Sequence, residues 1–335
     1  MKKNTIAVFG AGRVSGWHIN NMAEHLPDVR IKYLIDPFMN EQMEAMGRKA
    51  GVHIMTKDTQ IAFDDPDVDC ILIGTPAPTH CELIRKACAV QKDVFCEKPI
   101  GVDVDEIRHT LDVVEQAGIK LMMGFVRRFR FAAVREAIEQ DRIGKPQLVI
   151  VFTRDAVPPP ENYIKHCGGI FVDMTVHDFD LLRYFAGEDI VEISARAECL
   201  VDPVFQKYDD YDTTAVTVRF ESGGLGIISN SRGGSFYDQK VEALGPKGVV
   251  RGGVGPESYT SVITSEACQI IKPSSSHKGS NNDAFIDEIK AFFRAINGEI
   301  PIPITGRDGL EAVLMSYAAN LSVKENRPVR VDEIG

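Results

Sequence analysis

The pattern of apolar and polar positions changes character once along the chain, near Gly124. Before it, short continuous apolar runs alternate with stretches of helical periodicity. Thr5–Phe9 is the first run; Gly10-Ala11-Gly12-Arg13-Val14-Ser15-Gly16 follows at once, and a helical pattern begins at Trp17. Ile31–Ile35, Asp69–Gly74, Asp93–Cys96 and Leu121–Gly124 are further runs of strand length, while Cys81–Ala89 and Val104–Gln116 repeat apolar residues at helical spacing. Continuous apolar strands are those buried on both faces. Their alternation with helices predicts an N-terminal α/β domain with a doubly wound parallel sheet and right-handed crossovers.

After Gly124 a helix is predicted over Ala132–Ile143. β-prone runs then follow one another at Leu148–Phe152, Val191–Ala197, Thr213–Phe220, Gly224–Asn230, Gln239–Leu244 and Gly248–Arg251. Strands in succession without helices predict a large, mostly antiparallel, open-faced sheet in a C-terminal α+β domain. Helical patterns over Asn282–Asn297 and Asp308–Asn326 close the chain, after a polar run containing His277. For 335 residues, at ~150 residues per domain, two domains are expected. The pattern divides them into residues 1–124 and 125–335, with the last helices able to pack back on the first.

One stretch interrupts the strand-rich half. Gly168-Gly169 opens it, and Val172, Val176 and Phe179 recur at helical spacing up to Gly187, a plausible helix stop. On such a helix Asp173 and His177 are one turn apart on one face. A carboxylate beside an imidazole fixes the tautomer and supports the charged ring, as general acid–base catalysis needs.

The N-terminal signal is independent. In a strand–glycine turn–helix context, Gly10 allows a tight turn, Gly12 lets a pyrophosphate approach the backbone, and the helix start offers free N–H groups. Asp36, about twenty residues on at the end of the second strand, can accept from ribose hydroxyls and would repel a 2′-phosphate. Pro37 follows it, and no arginine comes before Arg48, which favours NAD. Thr75 and Lys98 stand at the carboxyl ends of later strands, the edge where such sheets bind ligands.

A net charge of −10 argues against nucleic acid. No apolar run approaches the ~20 residues of a membrane span, and the first residues lack a leader's apolar segment, so a cytoplasmic enzyme is expected. Seven cysteines, an odd number with no C-x-x-C pair, argue against a disulfide framework or a structural metal site.

Together these features resemble the glucose–fructose oxidoreductase/inositol dehydrogenase family over essentially the whole chain. The matching pieces are Gly10-x-Gly12-Arg13, Asp36, Glu97-Lys98-Pro99, Gly124-Phe125-x-Arg127-Arg128-Phe129, and Gly168-Gly169 through Asp173, His177 and Asp180. Arg154-Asp155-x-x-Pro158-Pro159-Pro160 with Tyr163, and Asn230-Ser231-Arg232 with Tyr237-Asp238-Gln239, resemble its inositol-oxidising branch in particular. The resemblance implies catalytic roles for Lys98, Asp173 and His177, and no metal. NAD would be held by Gly10, Gly12, Arg13, Val14, Asp36, Thr75, Pro76, His80, Glu97 and Lys98. The substrate would meet Lys98, Arg127, Asp155, Asp173, His177 and Tyr237. The implied reaction is NAD-dependent oxidation of a ring hydroxyl of a cyclic polyol, myo-inositol first. A dehydrogenase of another inositol isomer or an aldose is the alternative, and a non-catalytic sugar- and NAD-binding regulator the alternative of another class. The implied architecture is an N-terminal Rossmann domain plus an open-faced antiparallel sheet in the second domain, on which a homotetramer would be built. Val172, Arg130 and Gly233-Gly234-Ser235-Phe236 depart from the family pattern, which bears on the pocket and not on the chemistry.

Overall fold

The structure is a computed structural model and describes residues 4–254, 259–271 and 281–335; His277 and most of the polar run around it lie outside the described residues. In chain order the first elements are β1 (Asn4–Phe9), α1 (Arg13–His25), β2 (Val29–Ile35), α2 (Glu41–Lys49), β3 (Ile54–Thr56), α3 (Ile61–Asp64), β4 (Cys70–Ile73), α4 (His80–Ala89), β5 (Asp93–Glu97), α5 (Val104–Ala117) and β6 (Leu121–Gly124). They continue with α6 (Arg127–Arg130), α7 (Ala132–Glu139), β7 (Leu148–Arg154), α8 (Glu161–Ile164), α9 (Val176–Ala186), β8 (Ile190–Glu198), β9 (Thr213–Phe220), β10 (Leu225–Ser231), β11 (Asp238–Gly245), β12 (Gly248–Val254), β13 (Tyr259–Thr264) and β14 (Cys268–Ile271). The last are α10 (Asn281–Ile296), α11 (Gly306–Glu325) and β15 (Val329–Arg330). The chain divides into two units: Met1–Phe129 with Ser280–Leu310, and Arg130–Gly279 with Glu311–Gly335. The expected division at 124/125 falls a few residues before the observed one.

The first unit is a parallel sheet of six strands in the order β3-β2-β1-β4-β5-β6. Its central strands are apolar because helices cover both faces: Ile6, Ala7, Val8 and Cys70 to Ile73 are fully buried. The order reverses between β1 and β4, which opens a crevice at their carboxyl ends. Helix α5 is capped by Asp103, which accepts from the Glu106 N–H at 2.8 Å. The segment 280–310 is part of this unit. Trp17 of α1 and Phe285 of α10 lie with ring centroids 5.1 Å apart. Lys120 donates to the carbonyls of Ala295 and Ile296 at the end of α10, and the Met123 N–H donates to the Ile304 carbonyl at 3.0 Å.

The second unit is a nine-stranded sheet in the order β14-β13-β12-β11-β7-β10-β9-β8-β15, antiparallel except at β7–β10. Burial alternates along its central strands. The inner face is Val149, Val151, Val216, Val218 and Ile228, and α9 packs on it; a Cβ on Gly226 would sit 2.9 Å from Leu182 Cδ1. The outer face carries a cross-strand row, Leu225–Leu148–Leu244, with Leu225 53% and Leu244 37% exposed. Strands β3 and β15, three and two residues long, are too short for period-two patterning to register.

Candidate active site

The glycine turn joins β1 to α1. Gly10 has φ +90°, and a Cβ there would sit 2.6 Å from the Gly74 carbonyl oxygen, so no side chain fits. A Cβ on Gly12 meets nothing within 4 Å. Gly12 caps α1 without a side-chain hydrogen bond, and the first turn of α1 holds no acid. Its N–H groups and positive dipole end are therefore available to an anion. The third small position, Ser15, is buried against Gly74, whose Cβ would come 2.2 Å from Ser15 Oγ. The missing Cβ of Gly74 is thus what lets the helix carry a serine here.

Asp36 closes the cradle. Its Oδ2 accepts from the Ala11 N–H and its Oδ1 from the Phe38 N–H, both at 2.8 Å. It does not cap the next helix, since Asn40 does that with bonds to the Gln42 and Met43 N–H groups. Arg13 and Gly12 are exposed and Val14 half-buried; the Arg13 guanidinium lies 5.5 Å over the Trp17 ring. These residues fit a dinucleotide: shape at Gly10, open space at Gly12, free N–H groups at α1 and an acid at the end of β2.

Thr75 and Lys98 stand on the same edge, at the ends of β4 and β5, and both are half-buried. The Lys98–Pro99 peptide is cis. His80 is 1% exposed. Its Nε2 lies 2.7 Å from the Thr75 carbonyl and its Nδ1 2.8 Å from the Pro99 carbonyl, so the ring ties the two turns together. Burial pushes its pKa down, against the pull of those carbonyls. Thr75 and Thr79 hydroxyls meet at 2.6 Å above the exposed Pro76. Of the adjacent arginines, Arg128 is paired with Asp308 at 2.9 Å and Arg127 is 8% exposed. A cavity of about 820 Å³ in this unit, lined by Asn4, Asp69, Lys92 and Asp93 among others, opens at the opposite, N-terminal edge of the strands. Strand direction, not cavity size, decides where a parallel sheet binds its ligand.

In the second unit the expected uniform α-helix is corrected. Phe171–Thr175 is a π turn leading into α9. Gly168 and Gly169, at φ +83° and +86°, turn the chain into it, and Asp210 Oδ1 receives the Ile170 N–H at 2.8 Å. Asp173 thus stands in the wide turn and His177 in the first turn of α9, separated by a π and not an α turn. The shared face survives: from Phe171 to Leu182, only Asp173 and His177 are not buried.

Asp173 is held by groups the sequence reading did not single out as site residues, and so is Asp178, the residue after His177. Asp173 Oδ1 accepts from the Tyr163 hydroxyl at 2.6 Å, and Oδ2 from Arg232 Nη2 at 3.1 Å. Arg232 is 1% exposed, and although burial opposes its charge, Asp173 holds its pKa up. Burial and the charge of Asp173 push the Tyr163 phenol up, keeping it a donor. Beneath His177, Asp178 is fully buried. Its carboxylate accepts from Thr153 Oγ1 at 2.8 Å and from Asn230 Nδ2 at 2.7 Å. Asn230 Oδ1 in turn accepts from Thr175 and Thr214 at 2.7 and 3.2 Å. Thr153, Asn230 and Thr214 form one cross-strand row on β7, β10 and β9, the row after the apolar Val151–Ile228–Val216. Asp155 pairs through its backbone with Ser231 and Gly234, and Tyr237 OH accepts from Arg130 at 2.8 Å. Arg130, one of the departures from the family pattern, so occupies a group assigned to substrate.

A family described as "Oxidoreductase family, NAD-binding Rossmann fold" matches residues 4–125, and a "GFO/IDH/MocA C-terminal domain" matches residues 131–251. The chain belongs to the GFO/IDH/MocA oxidoreductases. As a family member it is an NAD-dependent oxidoreductase acting on CH–OH groups. It is 36% identical to a myo-inositol 2-dehydrogenase of Thermotoga maritima over 98% of this chain and 99% of the relative. Likewise it is 36% identical to an inositol 2-dehydrogenase of Rhizobium meliloti, over 97% and 98% of the two chains. A scyllo-inositol dehydrogenase from Lactobacillus casei, solved with NAD(H) and scyllo-inositol, superposes with a TM-score of 0.85 at 26% identity, covering 99% of this chain and all of that one. No helix among the described residues is long and apolar enough to cross a membrane.

Proposed function

We propose that this oxidoreductase converts myo-inositol to 2-keto-myo-inositol, with NAD as the hydride acceptor at nicotinamide C4. Support comes from the Asp173–His177 face, carried on a helix pinned by the buried Asp178–Asn230 network, in a chain that matches an inositol dehydrogenase end to end. His177 takes the hydroxyl proton, directly or by way of Lys98. The Lys98 ammonium stabilises the alkoxide as it develops. Asp173 orients the imidazole and accepts from a neighbouring hydroxyl. The bonds it accepts from Tyr163 and Arg232 favour the carboxylate form and suit it to orienting rather than to removing the proton. Arg127, Asp155 and Tyr237 supply further donors and acceptors, because each buried hydroxyl left unpaired costs roughly 1–3 kcal/mol.

The second sheet is proposed to build a homotetramer through its outer face, whose Leu225–Leu148–Leu244 row is apolar and part-exposed. Light scattering should give four times the chain mass at micromolar concentration; a monomer mass would refute it. The function is tested with a panel of inositol isomers and aldoses, following NADH formation. The highest kcat/KM is expected for myo-inositol. A higher value with another isomer or an aldose would reassign the substrate, and no turnover with any of them would favour a regulator.

A further inference from the structure

His18 has no part in the dinucleotide motif, yet it is a fully buried imidazole on the helix that opens with that motif. Its Nε2 meets Glu97 Oε1 at 2.8 Å. Its ring stands edge-on to Phe95 of β5 at 5.0 Å and to Phe285 of α10 at 5.4 Å, which fixes where the nitrogen points. Glu97 is the last residue of β5, immediately before Lys98. Its carboxylate lies over Gly124 of β6, where an added Cβ would be 3.1 Å from it. Glu288 of α10 faces the same spot: the ligating atoms of His18, Glu97 and Glu288 lie within 4.8 Å of one another. A cation does not explain the cluster. Two ligands at about 2.0–2.2 Å from one tetrahedral zinc would stand more than ~3.2 Å apart, whereas His18 and Glu97 are already at hydrogen-bonding distance. Nor does stability explain it, because an apolar pair of similar volume packs at least as well at such a place.

We propose that His18 is a positioning residue for the cofactor. By holding one oxygen of Glu97, it aims the carboxylate at the ribose hydroxyls on the nicotinamide side. A single hydrogen bond then ties α1, whose first turn seats the pyrophosphate, to the strand end that carries Lys98. The proposal rests on the NAD-dependent reading of this chain and not on the identity of the polyol.

The test uses full-length protein with His18→Leu, His18→Gln and Glu97→Gln. NADH affinity is read from its fluorescence, and KM for NAD and for polyol from initial rates. Leucine keeps the apolar packing and removes the donor; glutamine places an amide N–H near the lost Nε2. His18→Leu should raise the NADH Kd and the KM for NAD about tenfold, the worth of one charge-assisted hydrogen bond. The KM for polyol should not move, and His18→Gln should recover to within about threefold of wild type. A folded His18→Leu with wild-type NADH affinity would overturn the proposal, as would equal losses in the leucine and glutamine variants. If the leucine variant does not fold, Glu97→Gln decides: unchanged NADH affinity there overturns it. So does a wild-type affinity that falls on adding EDTA, since the three groups would then be metal ligands. Failure of wild type to oxidise any polyol would sink the substrate reading and leave the NADH measurements standing.

Discussion

The two units build their candidate sites from different materials. At the carboxyl edge of the first sheet the backbone does most of it: the Gly10 turn, the open space at Gly12 and the uncapped start of α1. In the second unit side chains do it. Tyr163 and Arg232 converge on Asp173, while Thr153 and Asn230 converge on Asp178. A surface made of backbone depends on where the chain turns, and tolerates most side-chain changes away from its glycines. One made of side chains depends on several donors being in place together, and removing any one leaves buried partners unsatisfied.

The largest effects should come where the two kinds of site are asked to do chemistry. His177→Ala and Lys98→Ala should each lower kcat by ~10²–10⁴ while NADH still binds, because neither residue makes the glycine cradle. Steady-state rates with NADH binding measured in parallel decide it; near-wild-type kcat in both would end the proposed mechanism. Next comes Asp178→Ala, which strands the Thr153 hydroxyl and the Asn230 amide at roughly 1–3 kcal/mol each. At about 2–4 °C per kcal/mol for a unit of this size, the melting temperature should drop by roughly 4–24 °C. A drop of less than about 2 °C would show that the network does not anchor α9.

The cradle should respond in the opposite way. Gly10→Ala meets the Gly74 carbonyl in a left-handed backbone, so both melting temperature and NADH affinity should fall. Gly12→Ala meets no protein atom and should leave the melting temperature unchanged while weakening NADH binding about tenfold or more. If Gly12→Ala destabilises as much as Gly10→Ala, the cradle is not the open surface described. The smallest effect is at Asp36. Asp36→Ala should narrow the preference for NAD over NADP in kcat/KM by about tenfold, and an unchanged ratio would remove Asp36 from cofactor choice.

The same division explains what could be read from sequence. Gly10, Gly12, Asp36 and Lys98 sit at strand ends, and strand ends follow from short apolar runs that a parallel sheet buries on both faces. The Asp173–His177 face was legible from spacing, since both remain on the surface of a buried stretch. The π turn was not, because Thr175 bonding back to the Ile170 carbonyl leaves no mark on apolar periodicity. Nor were the roles of Arg232, 59 residues from Asp173, or Asn230, 52 residues from Asp178. Asn230 sits at an inward position of β10, where alternation predicts an apolar residue. Its burial is intelligible only once Thr153 and Thr214 are known to flank it in register.

The return of residues 280–310 to the first unit sets an order of events during synthesis. When residue 129 leaves the ribosome, the six strands of the parallel sheet are all available, but the partner of Trp17 and the carbonyls that take up Lys120 are not. At roughly 5–20 residues per second, the missing segment follows after about ten to forty seconds, once Arg130–Gly279 of the strand-rich second unit has been made. Over that interval one flank of α1 and the ring of His18 lack their cover from Phe285. The nascent first unit therefore exposes apolar helix surface, and a ribosome-held chain with residues up to 129 outside the exit tunnel should be protease-sensitive where one with residues through α11 outside it is not.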